Sequence, residues 1–299
     1  MEPRDQGLTA SAARARRAGW SRHLRLWQLI VPAVVFLGVY FVVPLGMLFY
    51  FSVHAPGVSG LTLANFRRVI SDAFLVQTLA LSVRLSLEVT AITLVLGFPL
   101  AYLYTRLGTG WRLAILFVTL LPLLTSAVVR SFAWIVILGK QGLVNAALLG
   151  SGLVDAPVKL LFTLDGVRMA LAQVQLPFML LPLINAMEQL DPSLEQAAVS
   201  LGASQARAFF KVTVPLSVPG VVAGAILSFA LTISAFITPA MVGGGAFTVM
   251  PTLIYQSAIV TLDWATASTT ALILLIVAVV VVWGGMAAAR RYAYGPGSV

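Results

Sequence analysis

Arg84 and Glu88 stand four residues apart in the run SVRLSLEV (82–89), inside a long apolar block. On a helix, that spacing places a guanidinium and a carboxylate one turn apart on one face, where they can pair. Ions within a membrane span are expensive and normally face the protein interior or a water-filled cavity. Glu88 is the one acidic residue placed well inside a span. It reads equally as a structural partner of Arg84 or as an acceptor lining a path for a cation that has shed its water. Arg130 and Trp134 share the run AVVRSFAW (127–134). Arg130 reads as structural, since an unpaired cation repels a cationic solute, and Trp134 is a candidate for the path.

Other chemistries have no residues to perform them. The 299-residue chain contains no cysteine, which removes disulfides, thiolate metal sites and cysteine nucleophiles. His23 and His54 flank the first apolar block on opposite sides, so they cannot form a metal pair. The lysines are Lys140, Lys159 and Lys211, and none ends a G-x-x-x-x-G-K-[ST] phosphate cradle. No cofactor is implied. Energy for active transport would come from another subunit or an ion gradient. A membrane enzyme lacks convergent ligands. A secondary transporter would show internal repeats and broken mid-membrane helices, and no repeat is visible.

The elements that must hold these residues are helices. The chain is 60% hydrophobic and 10% charged, against about 45–50% and about 25% in soluble domains. Six apolar blocks reach the roughly 20 residues a span needs: 28–51, 78–104, 112–138, 168–187, 215–238 and 266–288. Helices are required because lipid offers no partner to backbone polar groups. The expectation is an all-α polytopic membrane protein with six transmembrane helices. A basic tail (1–27) precedes the first transmembrane helix, the remaining spans occupy 65–288, and a short tail (289–299) closes the chain. Arg14, Arg16, Arg17, Arg22 and Arg25 precede the first block, and the last outer loop (239–265) holds Asp263 and no base. That asymmetry predicts both termini in the cytoplasm. The net charge of +9 reads as topology plus attraction to anionic lipid, not nucleic-acid binding.

One segment is too patterned for a plain loop: LEQAAVSLGASQARAFFKVTVPLSVPG, Leu194 to Gly220, with Asp191-Pro192 just before it. Asp can cap a helix and Pro suits its first position. Leu194, Ala197, Ala198 and Leu201 follow helical spacing, Gly202 is a natural stop, and Ser204 can cap a second turn. Pro215 and Pro219 shape the start of the fifth span. Small side chains allow close approach, which favours docking on a protein partner over resting on lipid.

The segment resembles the EAA loop of permease subunits from binding-protein-dependent ABC importers, through Gln196, Ala197, Ala198, Gly202, Val212 and Pro215. Gln196 replaces the usual Glu, although Glu195 precedes it, and Val214 replaces a usual Leu. The runs VRSFAWIVILGKQGLVNAALL (129–149), FITPAMVGGG, LIYQ and DWATAS (236–268) are similar to the spermidine/putrescine branch. Iron, sulfate, molybdate and phosphonate permeases are related. The resemblance implies the MetI-like permease fold and a coupling loop at 191–215. Leu194, Glu195, Gln196, Ala197, Ala198, Leu201, Gly202, Ala203 and Pro215 would then dock on a cytoplasmic ATP-binding subunit. It also implies a second permease subunit, an extracytoplasmic solute-binding protein, and a polyamine substrate moved across the cell (inner) membrane by a subunit that is not itself an enzyme.

Overall fold

In the computed structural model, residues 30–54 and 60–293 are described. The basic tail 1–27 lies outside the described residues, as do 28–29 of the expected first span and 294–299 of the closing tail. Among the described residues the chain is helical, with no strand.

Helix α1 (Ile30–Val53) has a mean hydropathy of 2.3 and, apart from Ser52 and Val53 at its end, is not buried within the chain, as befits a helix apolar all round that has lipid or another chain as its surroundings. Its end is tied down by Asn65 of α2 (Ala64–Ser71), whose amide donates to the carbonyls of Ser52 and His54, each at 3.0 Å. Helix α3 (Ala73–Arg106) starts on Asp72, whose carboxylate accepts from the Phe74 amide at 2.9 Å. Its 34 residues span about 50 Å, well beyond a hydrocarbon core of about 30 Å. The helix continues without a break through Pro99.

Helix α7 (Leu164–Glu188) runs parallel to α3 at the centre of the bundle, with Gly97 of α3 packed against Met179. It supplies Val167, Ala170 and Leu171 to one apolar cluster and Met179, Leu180 and Leu183 to the other. Small residues bring its neighbours close. On α11 (Val218–Ile233), a Cβ at Gly224 would sit 2.9 Å from the Met179 carbonyl oxygen, and one at Gly220 would sit 2.8 Å from that of Pro182. This G-x-x-x-G pair lays α11 against the α7 backbone. A stripe on α3 (Thr78, Ser82, Ser86, Thr90, Thr93) is buried as well. The Thr93 hydroxyl meets that of Ser228 at 3.1 Å, and Ser82 accepts from the Met250 amide at 2.8 Å.

Two expected spans are interrupted. The block 112–138 divides into α4 (Thr109–Leu120), a 3₁₀ turn (Leu121–Leu124) and α5 (Ala127–Leu138), with α6 (Leu143–Gly150) beyond. Pro122 sits in that turn, and Thr125 is extended, so the ladder stops where a donor is missing. The block 215–238 begins earlier. Gln205–Leu216 and Val218–Ile233 meet at 60°, where Pro215 and Pro219 remove two donors one turn apart. The others lengthen modestly: 78–104 becomes 73–106, 168–187 becomes 164–188, and 266–288 becomes α14 (Trp264–Ala293). Five helices are long and apolar enough to cross a membrane, or six with the bent pair counted as one. The expected loop 239–265 is folded, with helical turns at Ile237–Val242 and Met250–Tyr255. In the turn at Gly243–Gly245, Gly244 packs closely: a Cβ there (φ +56) would lie 2.1 Å from the Phe162 ring.

Candidate functional site

Helix α8 (Pro192–Ser200) crosses the end of the bundle where α3 and α7 finish. Its termini are made as the sequence requires. The Asp191 carboxylate accepts from the Ser193 amide at 2.9 Å, and that hydrogen bond holds its carboxyl below the usual range. At the other end, the Gly202 amide donates to Val199 at 2.9 Å and the Ala203 amide to Ala198 at 3.1 Å. This pair of bonds is a Schellman ending, and it needs Gly202 at φ +90. Ser204 accepts from the Arg207 amide at 3.3 Å and starts α9 (Gln205–Ala208). A π turn (Phe209–Thr213) follows, in which the Val214 amide reaches back to Phe209. α10 (Val214–Leu216), which contains the exposed Pro215, then leads to α11.

Of the residues expected to dock, Leu194, Gln196, Ala197, Leu201 and Gly202 are exposed, with Leu201 at 90%, and Ala198 and Ala203 are half-buried. Glu195 differs: its side chain is only 16% exposed and turns toward the bundle. The carboxylate accepts from the Arg106 guanidinium, from the Tyr102 hydroxyl at 3.2 Å and from the Thr213 hydroxyl at 3.2 Å. These groups, with Leu194 and Leu216, surround a cavity of about 250 Å³. The Tyr102 and Arg106 contacts join segments 93 and 89 residues apart and the Thr213 contact spans 18 residues across the turn at Gly202, so none is set by spacing along one helix.

The intramembrane ions form a larger group than the spacing suggested. Arg84 Nε lies 2.8 Å from Glu88 Oε1, as expected, but Arg168 Nε lies 2.7 Å from Glu88 Oε2 and also pairs with Asp165. The Arg84 side chain is 71% exposed and that of Arg168 only 19%, so Arg168 is the better-enclosed partner. The Arg168–Glu88 pairing joins residues 80 apart and depends on the α3–α7 packing. Arg130 turns back to donate to the Pro122 carbonyl at the broken turn, while its Nε is buried without a partner. Trp134 Nε1 donates to Gln173 Oε1 on α7 at 3.0 Å, beside the cluster that contains Leu85 and Val89. Among the described residues, no group of three His, Asp or Glu side chains could hold a metal.

Apolar spans packed on one central helix, with a short capped helix displayed at one end, define a polytopic helical membrane protein. Residues 57–292 match the family of binding-protein-dependent transport system inner membrane components, and the chain belongs to it. It is 29% identical over 246 residues to the spermidine/putrescine transport system permease protein PotB of Haemophilus influenzae, covering 82% of this chain and 83% of that one. It is 32% identical over 210 residues to the PotB protein of Salmonella typhimurium, covering 70% and 73%. The fold is that of a bacterial ABC transporter involved in import of the acidic polysaccharide alginate, with a TM-score of 0.70, 18% identity, and coverage of 93% and 99%. The chain is therefore a multi-pass inner-membrane permease subunit of an ABC importer. It is non-catalytic: ATP hydrolysis belongs to a partner ATPase, and a second permease and a binding protein complete such systems.

Proposed function

We propose that this permease imports polyamines of the spermidine and putrescine type. The observation that carries the reading is the identity of about 30% to the two PotB proteins, extending over 70% and 82% of the chain. A polycation also gains from an inside-negative potential, by about 2.3 kcal/mol per charge per 100 mV. The α8 face of Leu194, Gln196, Ala197 and Leu201 docks on the ATPase, which places that end of the bundle and both termini in the cytoplasm. Glu88 and Trp134 are the path residues of this reading, while Arg84 and Arg130 are structural. One observation favours a second reading, import of a different and anionic small solute: Arg130 uses a single hydrogen bond out of five available donors.

Uptake of labelled spermidine by the complete complex, reconstituted with its binding protein, ATPase and partner permease, tests the substrate. The polyamine reading expects ATP-dependent accumulation that unlabelled putrescine competes away and that sulfate and molybdate do not. Absence of polyamine uptake alongside anion uptake would reverse it. A reporter fused after Arg291 should be active only in the cytoplasm, and one fused within 246–262 only outside.

A further inference from the structure

Glu195 lies within the docking segment, yet its charge is spent inside the chain. The carboxylate accepts from the Arg106 guanidinium in the last turn of α3, from the Tyr102 hydroxyl one turn earlier, and from the Thr213 hydroxyl in the π turn. An ionised carboxylate has about four lone-pair sites, and three donors from two other elements occupy them. The Arg106 guanidinium also lies over the Tyr102 ring, 5.1 Å from its centroid. The same two elements are joined a second time by aromatic rings. Phe209 packs edge-on against Tyr102 at 4.8 Å and against Phe98 at 5.8 Å. The helix after Thr213 carries the two missing donors and turns by 60°, so the bend lies immediately beyond the clamped region.

We propose that Glu195 is a positioning residue for energy coupling, clamping α8 to the end of α3 and to the π turn so that all three move as one body. This rests on the reading that α8 docks on the ATPase, and it assigns Glu195 a different task from its outward-facing neighbours. A docking helix joined to the bundle only through its two chain ends would absorb a displacement of the ATPase by pivoting on its own caps. With the clamp, displacement of α8 is delivered to α3, a helix that reaches from this end to Glu88 and beyond. Bending then occurs at Pro215–Pro219, where the backbone already lacks its ladder bonds. Charge-assisted hydrogen bonds in a partly enclosed site are short and directional, which suits a joint that must be stiff.

The test uses the complete reconstituted complex carrying Glu195→Gln, Arg106→Gln, or the exchanged pair Glu195→Arg with Arg106→Glu. Three quantities are read: the ATPase subunit bound, ATP hydrolysed, and solute imported per ATP. The clamp predicts that Glu195→Gln retains bound ATPase within about twofold, hydrolyses ATP, and loses at least fivefold in solute imported per ATP, with partial recovery in the exchanged pair. Unchanged import per ATP overturns the proposal. Loss of bound ATPase in parallel with uptake also overturns it, by making Glu195 a contact on the ATPase. Loss of binding on disrupting Gly202 bears instead on the docking reading, so the two failures are distinguishable. If the variants fail to accumulate, the wild-type background still decides. The chain has no cysteine, so Thr105→Cys with Val212→Cys, both lining the cavity and neither on the docking face, can join the end of α3 to the π turn through a short bifunctional thiol reagent. A clamp that stays closed predicts that the joined complex still transports; abolition of uptake by the link, but not by the two cysteines alone, refutes it.

Discussion

Substitution of Gly202 separates backbone from charge at the docking segment. Its φ of +90 is a conformation L side chains rarely adopt, and a Cβ there would meet nothing within 4 Å. The penalty for Gly202→Ala is thus conformational alone, about 1–2 kcal/mol. The chain could avoid it by unwinding the turn. That would give up the bonds from the Gly202 and Ala203 amides, each worth about 0.5–1.5 kcal/mol net, so escape is no easier. One to two kcal/mol weakens a site that binds only the intact turn by about 5- to 30-fold. Asn tolerates the left-handed region better than Ala, so Gly202→Asn should lose less. Gly202→Asp matches Asn in shape and adds a carboxylate beside a close contact, so any further loss measures the charge. The assay titrates the isolated ATPase subunit onto the permease pair in lipid nanodiscs, at equal amounts of inserted chain. The expected order of affinity is Gly, Asn, Ala, with Asp below Asn. Wild-type affinity for both Ala and Asp would refute docking through this turn, and equal affinity for Asp and Asn would remove Gly202 from the contact.

Three further outcomes follow from the packing. Arg168→Gln should lower the melting temperature and yield of the purified complex more than Arg84→Gln, whose exposed pair is worth about 0–1 kcal/mol. Arg84→Gln with Glu88→Gln should not recover the yield lost in Glu88→Gln, because Arg168 then loses its partner on α3; full recovery would show that Arg84 is the partner that matters. With Glu88→Gln, uptake falling further than protein level would favour the path reading. Gly224→Ala places a Cβ 2.8 Å from the Met179 sulfur and 2.9 Å from the Met179 carbonyl oxygen, and overpacking of that kind costs about 1–3 kcal/mol; Met179→Ala removes the first contact and leaves the second, so it should not restore the wild-type thermal melt. The Asp191 carboxyl is depressed by its bond from Ser193, so its contribution is present above the ordinary aspartate value and is lost as pH falls through the lower folded value. Protection factors of the α8 amides, with intrinsic exchange divided out, should therefore be unchanged between pH 5 and 7, nearly normal in Asp191→Asn, and lower in Asp191→Ala.

By itself, the sequence determined everything that depends on local chemistry. Long apolar blocks had to become helices because lipid offers the backbone no other partner. Asp191, Pro192, Gly202 and Ser204 set the limits of α8 and the start of α9 because capping is a matter of one to three residues. The G-x-x-x-G at 220–224 was a readable signal for close helix packing that went unused, since its partner helix cannot be read from it. The breaks at Pro122 and at Pro215–Pro219 had their cause in view, yet hydropathy sums over them and reports a single span. Only the tertiary structure decided the pairings between elements. Glu88 met Arg168 as well as Arg84, and Glu195 faced Arg106, Tyr102 and Thr213 instead of outward, because parallel packing of α3 on α7, with α8 folded across their shared end, brought together residues 80 to about 90 positions apart and turned α8 toward the π turn. Spacing along a chain specifies a face of one helix, whereas the direction that face points depends on which neighbour fills the space beside it.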